Sequence, residues 1–530
     1  MPQDHDSASS ADLDQIDDPV TTGFRLRPIP MMDPRSAEDV QTGPSALAPD
    51  WLGIPRDWTH LDPVIWPEAF GRDDEGTLTV SGLPVTALAE TYGTALYVIS
   101  EDAFRARAAQ FRTAFEEAFA AIGAEVSVYY AGKALLTPEI ARWVREEGLN
   151  LDTASGGEMA AGLRGSMPPQ RMALHGNNKS AAEITMALDA GVGRIVVDSL
   201  QEIELVGRLA RTLGVKAPVM LRVTPGIHAE THEFIATAHE DQKFGLSLAA
   251  DDDQVSPALQ AVSACVAHPD LELTGLHCHI GSQIFDADGF ASAAQRVLEL
   301  MAEISRRFGV SLPQLDLGGG YGIAYTEADT PRPARDIARA LAESIRETCT
   351  RLGLPIPHLS FEPGRSIAGP SGISLYTVGT CKSVTVQEGA RRRYVSVDGG
   401  MSDNARPVLY GAEYSVVVAD RARTHEGQAP ALSRVVGKHC ESGDIVVHSA
   451  YLPESLGAGD LLAVPATGAY CWALSSNYNW LPRPAMIAVR TVDGVPEARI
   501  IVRRETEDDL FARDVSQDPA ASKPFRLEPR

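Results

Sequence analysis

Cysteine is scarce and scattered in this chain of 530 residues: Cys265, Cys278, Cys349, Cys381, Cys440 and Cys471 include no C-x-x-C pair. That spacing reads against a disulfide framework or a structural zinc site and fits a reducing, cytoplasmic setting. No run is long and apolar enough to span a bilayer, and the acidic N-terminus lacks the apolar stretch of a secretory leader. Positive charge is also in deficit. The chain has 47 Lys and Arg against 71 Asp and Glu, a net charge of -24. That balance argues against nucleic acid as a partner, while leaving room for a local basic site for a small anion.

What is present is a globular composition, 44% hydrophobic and 22% charged, in a chain long enough for two or three domains. Residues 1–50, rich in Asp, Ser and Pro, read as a disordered acidic tail. Residues 51–102 are expected to contribute strand to a β domain, with TLTVSGLPV from Thr77 as the candidate. Between 103 and 370, eight short apolar runs alternate with helix-forming stretches. They are VSVYYA (126–131), LNLD (149–152), RMALH (171–175), RIVVD (194–198), VMLRV (219–223), LTGLHCH (273–279), LPQLDL (312–317) and PHLSFE (357–362). That rhythm predicts an α/β fold, a (β/α)8 TIM-type barrel. A doubly wound sheet would usually carry a phosphate fingerprint after its first strand, and none stands there. Residues 371–514 hold strand-like runs with a hairpin turn at Asp493-Gly494, and predict an all-β C-terminal domain that also takes an N-terminal strand. Residues 515–530 read as a loose tail.

Barrel enzymes place chemistry at the C-terminal ends of their strands. Here those ends carry Lys133, Asp152, His175, Asp198, Arg222, His279, Gly318–Gly320 and Glu362. By itself Lys133 reads as an ion-paired barrel lysine. As a Schiff-base lysine it would need a deprotonated amine, which burial and nearby cations favour. The run Gly318, Gly319, Gly320 fails the dinucleotide pattern because Ile323 stands where a third glycine is required, but consecutive glycines still gather N–H groups for an anion. FEPGR adds Pro363, Gly364 and Arg365 on the next loop, and the pair of loops matches the phosphate corner of such barrels. Glu362 suits a pyridine nitrogen, or an ion pair with Arg365. His277 and His279 share one side of their strand. No third ligand lies near them in sequence, so no metal is expected, and an imidazole stacked on a ring, with Ser282 at a phosphate, fits better. Farther on, Arg406, Tyr410, Cys440, Glu441 and Tyr470 are candidates in the β domain. Cys440 can donate a proton, and Arg406 with Glu441 can hold a carboxylate and an ammonium.

Together YAGKA, SGGE, HGNNKS, THEFIATAHEDQKFG, HCHIGSQ, LDLGGGYGIAY, FEPGR, GGMSDNARP, GKHCESGD and GAYCWALSSNYN, in this order between about Leu83 and Leu510, resemble the fold-type III pyridoxal-phosphate-dependent decarboxylases. The nearest likeness is to those acting on meso-2,6-diaminopimelate. The resemblance implies pyridoxal 5'-phosphate as cofactor and L-lysine and carbon dioxide as products, the last step of lysine biosynthesis. It also implies a homodimer with sites shared across its interface. It assigns Lys133 to the cofactor, His279 to stacking on its ring, and Glu362 to its nitrogen. Ser282, Gly320, Arg365 and Tyr470 fall to the phosphate. Arg365, Arg406, Tyr410, Glu441 and Tyr470 fall to the substrate, and Cys440, from the other subunit, to proton donation. Gly132 and Trp480 depart from the family pattern, where alanine and a basic residue are common, and the acidic extension is longer than the family needs. A decarboxylase for another basic amino acid or a polyamine precursor, a racemase, and a non-catalytic cofactor-binding protein are the rival readings.

Overall fold

Serine or threonine opens helix after helix in this chain, and glycine closes many of them. Ser100, Thr137, Ser155, Ser180, Ser199 and Ser256 each accept a backbone N–H from the first turn of the helix that follows. Gly191, Gly214, Gly309 and Gly353 take the left-handed conformation at C-caps, where a side chain would be strained. These signals punctuate the alternation of helix and strand.

The structure, a computed structural model, describes residues 45–226, 243–250, 255–386, 389–516 and 522. The expected acidic tail up to residue 44, most of the expected C-terminal tail, and the THEFIATAHEDQKFG motif up to residue 242 lie outside the described residues.

Eight parallel strands close a barrel: β1 (Val126–Ala131), β2 (Asn150–Thr153), β3 (Met172–Leu174), β4 (Arg194–Val197), β5 (Ala217–Thr224), β6 (Leu271–His277), β7 (Gln314–Asp316) and β8 (His358–Phe361). The closing pair runs from Leu359 opposite Val126 to Phe361 opposite Val128. That pairing eliminates the doubly wound alternative. Strands covered on both faces need no polar alternation, which is why β3 and β4 are buried throughout.

The β-rich second domain follows directly on the loop after β8. Its main sheet runs in the order Ile445–Pro453, Pro430–Val436, Arg391–Val397, Gly372–Thr385, Leu96–Ser100, Ala485–Val492, Val495–Val502. The last two form the expected hairpin, with Asp493 and Gly494 at φ 51° and 79°, as a two-residue turn requires. The N-terminal strand in this sheet is Leu96–Ser100, not the one near Thr77. Leu78–Val80 instead pairs with Phe70–Arg72 and Leu83–Pro84 in a sheet of three. The small sheet packs Leu78 and Val80 onto Val98, Ile373 and Ile487 of the large one, so it covers the domain's face without extending its ladder.

The two domains are stitched together where the site forms. Tyr470 N–H donates to Ala134 O at 2.7 Å, and Gly468 N–H to Gly369 O at 3.2 Å. Among the described residues, no helix is long and apolar enough to cross a membrane.

Candidate active site

A cavity of about 630 Å3 opens at the C-terminal mouth of the barrel. Lys133, His279, Ser282, Gly320, Glu362, Gly364 and Arg365 line it from the barrel, and Arg406, Tyr410 and Tyr470 from the β domain. Lys133 follows β1 in a tight turn, Gly132–Ala134. It faces the open cavity and is exposed, not buried as the sequence reading expected. A Cβ at Gly132 would fall 2.8 Å from Asp152 O, so the neighbouring strand leaves room for glycine alone.

Glu362 directly follows β8 and is buried. Its partner is not Arg365. His175 Nε2 lies 3.1 Å from Glu362 Oε1, His277 Nε2 3.5 Å from Oε2, and Arg194 Nη2 3.8 Å away. Burial alone would raise the Glu362 pKa, but His175 and His277 outweigh it and hold the carboxyl well below its ordinary value. Burial pushes His175 down to about 3. Behind this trio, Arg194 pairs with Asp316, and Asp152 stands 3.4 Å from His175. Burial, then the Glu362 charge, raises the Asp152 pKa. The sequence showed no third metal ligand near His277 and His279. The fold supplies one differently, since His175, His277 and Glu362 present ligand atoms within 4.8 Å of one another.

The anion corner is built from three loops. Gly318 N–H donates to Asp316 Oδ1 at 2.7 Å and Gly319 N–H to His279 Nδ1 at 3.2 Å. A Cβ at Gly319 would lie 2.0 Å from Glu362 O, and one at Gly320 2.2 Å from Gly281 O. Gly318, Gly319 and the buried Pro363 do not line the cavity, and only Gly320 of the glycine run reaches it. Arg365 donates through Nη2 to Ser282 Oγ at 2.8 Å and through Nη1 to the Tyr325 hydroxyl at 2.5 Å. Its guanidinium lies 4.6 Å from the Tyr470 ring centre.

Tyr325 was not singled out by sequence, although it ends the LDLGGGYGIAY motif. It lies against both arginines of the cavity, with the Arg406 guanidinium 4.7 Å from its ring. Arg406 also donates to the Tyr414 hydroxyl. Burial would lower the Arg406 pKa, but Tyr325 and Tyr414 hold it well above its ordinary value. Trp51, from the segment before the small sheet, is a further wall residue that sequence gave no reason to choose.

Cys440 and Glu441 do not reach this cavity. Both are exposed on the loop after Pro430–Val436. Asp444 braces that loop by accepting from Met401 N–H and His439 N–H at 2.6 and 2.8 Å. Asn479 Oδ1 accepts from Cys440 N–H at 2.9 Å. Trp480 stands next to it, 57% exposed and 4.9 Å from the Phe511 ring.

These groups fit a phosphorylated pyridine aldehyde. Arg365 Nε is a buried polar atom without a hydrogen-bond partner, a cationic donor at the wall of the cavity that the Glu362 carboxylate also lines. A lysine, an imidazole and a glycine-rich anion corner complete the donor set.

Residues 102–369 match the family model for the pyridoxal-dependent decarboxylase, pyridoxal binding domain. At the level of whole chains, the chain is 50% identical over 460 residues to the diaminopimelate decarboxylase of Mycobacterium tuberculosis (strain ATCC 25618 / H37Rv), covering 86% of this chain and 99% of that one. It is 41% identical to the diaminopimelate decarboxylase of Bacillus subtilis (strain 168), over 84% of this chain and 96% of that one. The solved structure of diaminopimelate decarboxylase from M. jannaschii in complex with L-lysine superposes with a TM-score of 0.76 at 29% identity, over 84% and 98% of the two chains. The chain belongs to the diaminopimelate decarboxylase family of pyridoxal-dependent decarboxylases, and pyridoxal phosphate is its cofactor.

Proposed function

We propose that the chain decarboxylates meso-2,6-diaminopimelate to L-lysine and carbon dioxide, as a cytoplasmic homodimer whose two sites each draw on both copies. The observation that carries the substrate is the pair of arginines against Tyr325. Arg365 is bonded to Ser282 in the anion corner, which leaves Arg406 for a second anion. A substrate with a carboxylate at its far end uses that second cation, and ornithine or lysine does not.

The residues divide the work as follows. Ser282, Gly320, Arg365 and Tyr470 hold the phosphate, Lys133 supplies the anchoring amine, and His279 covers the ring. When bound, the cofactor's protonated ring takes up the electron pair left by the departing carboxylate. Glu362, ionised between His175 and His277, holds the proton at the ring nitrogen. Arg406 and Tyr410 orient the distal carboxylate and Glu441 the distal ammonium, so that only one end of the substrate reacts. Cys440 Sγ gives its proton to the carbon that has lost the carboxylate.

The exposed position of Cys440 and Glu441 supports the dimer. Arg406 and Tyr410 line the cavity from the short helix Arg406–Tyr410, while Val408 and Leu409 of the same helix are 42% and 54% exposed. Val408 lies against Gly443 of the Cys440 loop. An apolar surface beside the cavity thus carries the missing groups. The six free cysteines agree with a reducing compartment.

The test is incubation of purified protein with pyridoxal phosphate and meso-diaminopimelate, with assay of lysine and carbon dioxide. Stoichiometric release of both is expected. Turnover of ornithine or lysine in its place would overturn the substrate assignment.

A further inference from the structure

We infer that Gln283 is a positioning residue for the cofactor phosphate, welding the loop after β6 to the glycine loop after β7. The inference rests on the reading that Ser282, Gly320 and Arg365 hold that phosphate.

Gln283 sits at φ 63°, a left-handed conformation that glycine takes freely and a glutamine takes only under constraint. Its amide supplies the constraint. Nε2 donates to Ile323 O at 2.7 Å, and Ile323 N–H donates back to Oε1 at 3.2 Å. Both polar ends of the side chain therefore answer both polar groups of one residue on the opposite loop, and this pattern fixes which way the amide faces. Backbone bonds run alongside: Ile284 N–H to Gly320 O and Gly322 N–H to Ile284 O, each 2.9 Å. Gly320, at φ 117°, approaches Gly281 so closely that no side chain fits between the loops.

The consequence falls on the residues enclosed by this clamp. Ser282 immediately precedes Gln283 and accepts from Arg365, so a third loop is tied into the same unit. Gly320 accepts from Ile284 N–H and lies close against Gly281. Ser282, Gly320 and Arg365 are thus set relative to one another before any ligand arrives, and an anion entering the corner bears no cost of ordering three loops. Gln283 also lines the cavity, but its amide is engaged with Ile323. Its role lies in placing its neighbours.

The readout that separates positioning from general stability is the preference for phosphate. Apoenzyme is titrated with pyridoxal 5'-phosphate and, separately, with pyridoxal, following cofactor absorbance. Pyridoxal shares the ring and the Lys133 anchor but has no phosphate. Gln283→Ala is expected to weaken pyridoxal phosphate about tenfold, the loss of roughly two net hydrogen bonds partly offset by relaxation, and to leave pyridoxal unchanged. Gln283→Gly accepts the left-handed backbone without strain but lacks the amide, and is expected to match Gln283→Ala. Equal weakening of both ligands, unaltered pyridoxal phosphate binding in the alanine variant, or recovery of phosphate preference in the glycine variant would each overturn the inference. Arg365→Ala tests the parent reading separately: an intact phosphate preference in that variant would mean that the phosphate lies elsewhere, whatever Gln283 does.

Discussion

The barrel mouth and the Cys440 loop carry, on the proposed reading, the two halves of one reaction, and they differ in how far a single chain completes them. At the mouth, Lys133, His279, Glu362 and Arg365 converge on one cavity, each supported from behind by side chains or close-packed glycines. The Cys440 loop is equally well braced, by Asp444 and Asn479, yet its chemical groups face outward and touch no part of that cavity. Rigidity without a destination in the same chain points to a second copy. On the proposed reading, cofactor binding is a property of one chain, and turnover a property of two.

Separating the halves by mutation gives the largest contrasts. Lys133→Ala removes the anchor, so visible cofactor absorbance and lysine formation should fall together to background. Cys440→Ala should instead retain that absorbance while kcat drops by about 10²–10⁴-fold, the usual scale for a lost proton donor. If Cys440→Ala lost the cofactor, the division between the halves would fail. Arg406→Ala addresses the substrate contact that both halves must meet. A rise in KM for diaminopimelate of roughly 10- to 100-fold is expected, with cofactor affinity unchanged. An unmoved KM would place the distal carboxylate elsewhere.

The smallest effect concerns stability on the β-domain side. Burial, though opposed by the hydrogen bond with Tyr376, raises the Asp403 pKa from 3.8 to about 7. A raised acid binds its proton more tightly in the folded state. Its favourable contribution is full below pH 3.8 and is lost as pH rises through about 7. Asp403→Asn cannot ionise, so the variant's Tm relative to the parent should climb between about pH 4 and about pH 7 and level off above that. A Tm difference independent of pH would contradict the raised value.

How much of this was legible in the sequence follows from where the deciding contacts lie. All eight barrel strands could be read because each is a short apolar run bounded by helix signals. Leu96–Ser100 escaped notice because all five of its residues are buried, which erases the alternation that marks a strand. Gly372–Thr385 shifts register between Val378 and Cys381 and changes from buried to exposed along its length, so no single period runs through it. In the site, Lys133, His175 and Glu362 announced themselves by standing at strand ends, and Arg365 by the loop that follows one. Their contacts did not. His175 meets Glu362, and Tyr325 meets both Arg365 and Arg406, across separations that no local pattern encodes. Cys440 was recognisable by its motif, but its distance from the cavity could be seen only in three dimensions.

The most direct test of the shared site is complementation between two inactive variants. Lys133→Ala and Cys440→Ala proteins are dissociated, mixed in equal amounts and reassociated, and lysine formation is measured. If each site takes Lys133 from one copy and Cys440 from the other, half of the dimers are mixed and each has one intact site, so activity should return to roughly a quarter of the parent's. If both residues serve the site of their own chain, no mixed dimer has an intact site. Activity that stays at the level of the separate variants, with mixed dimers confirmed, would contradict the account.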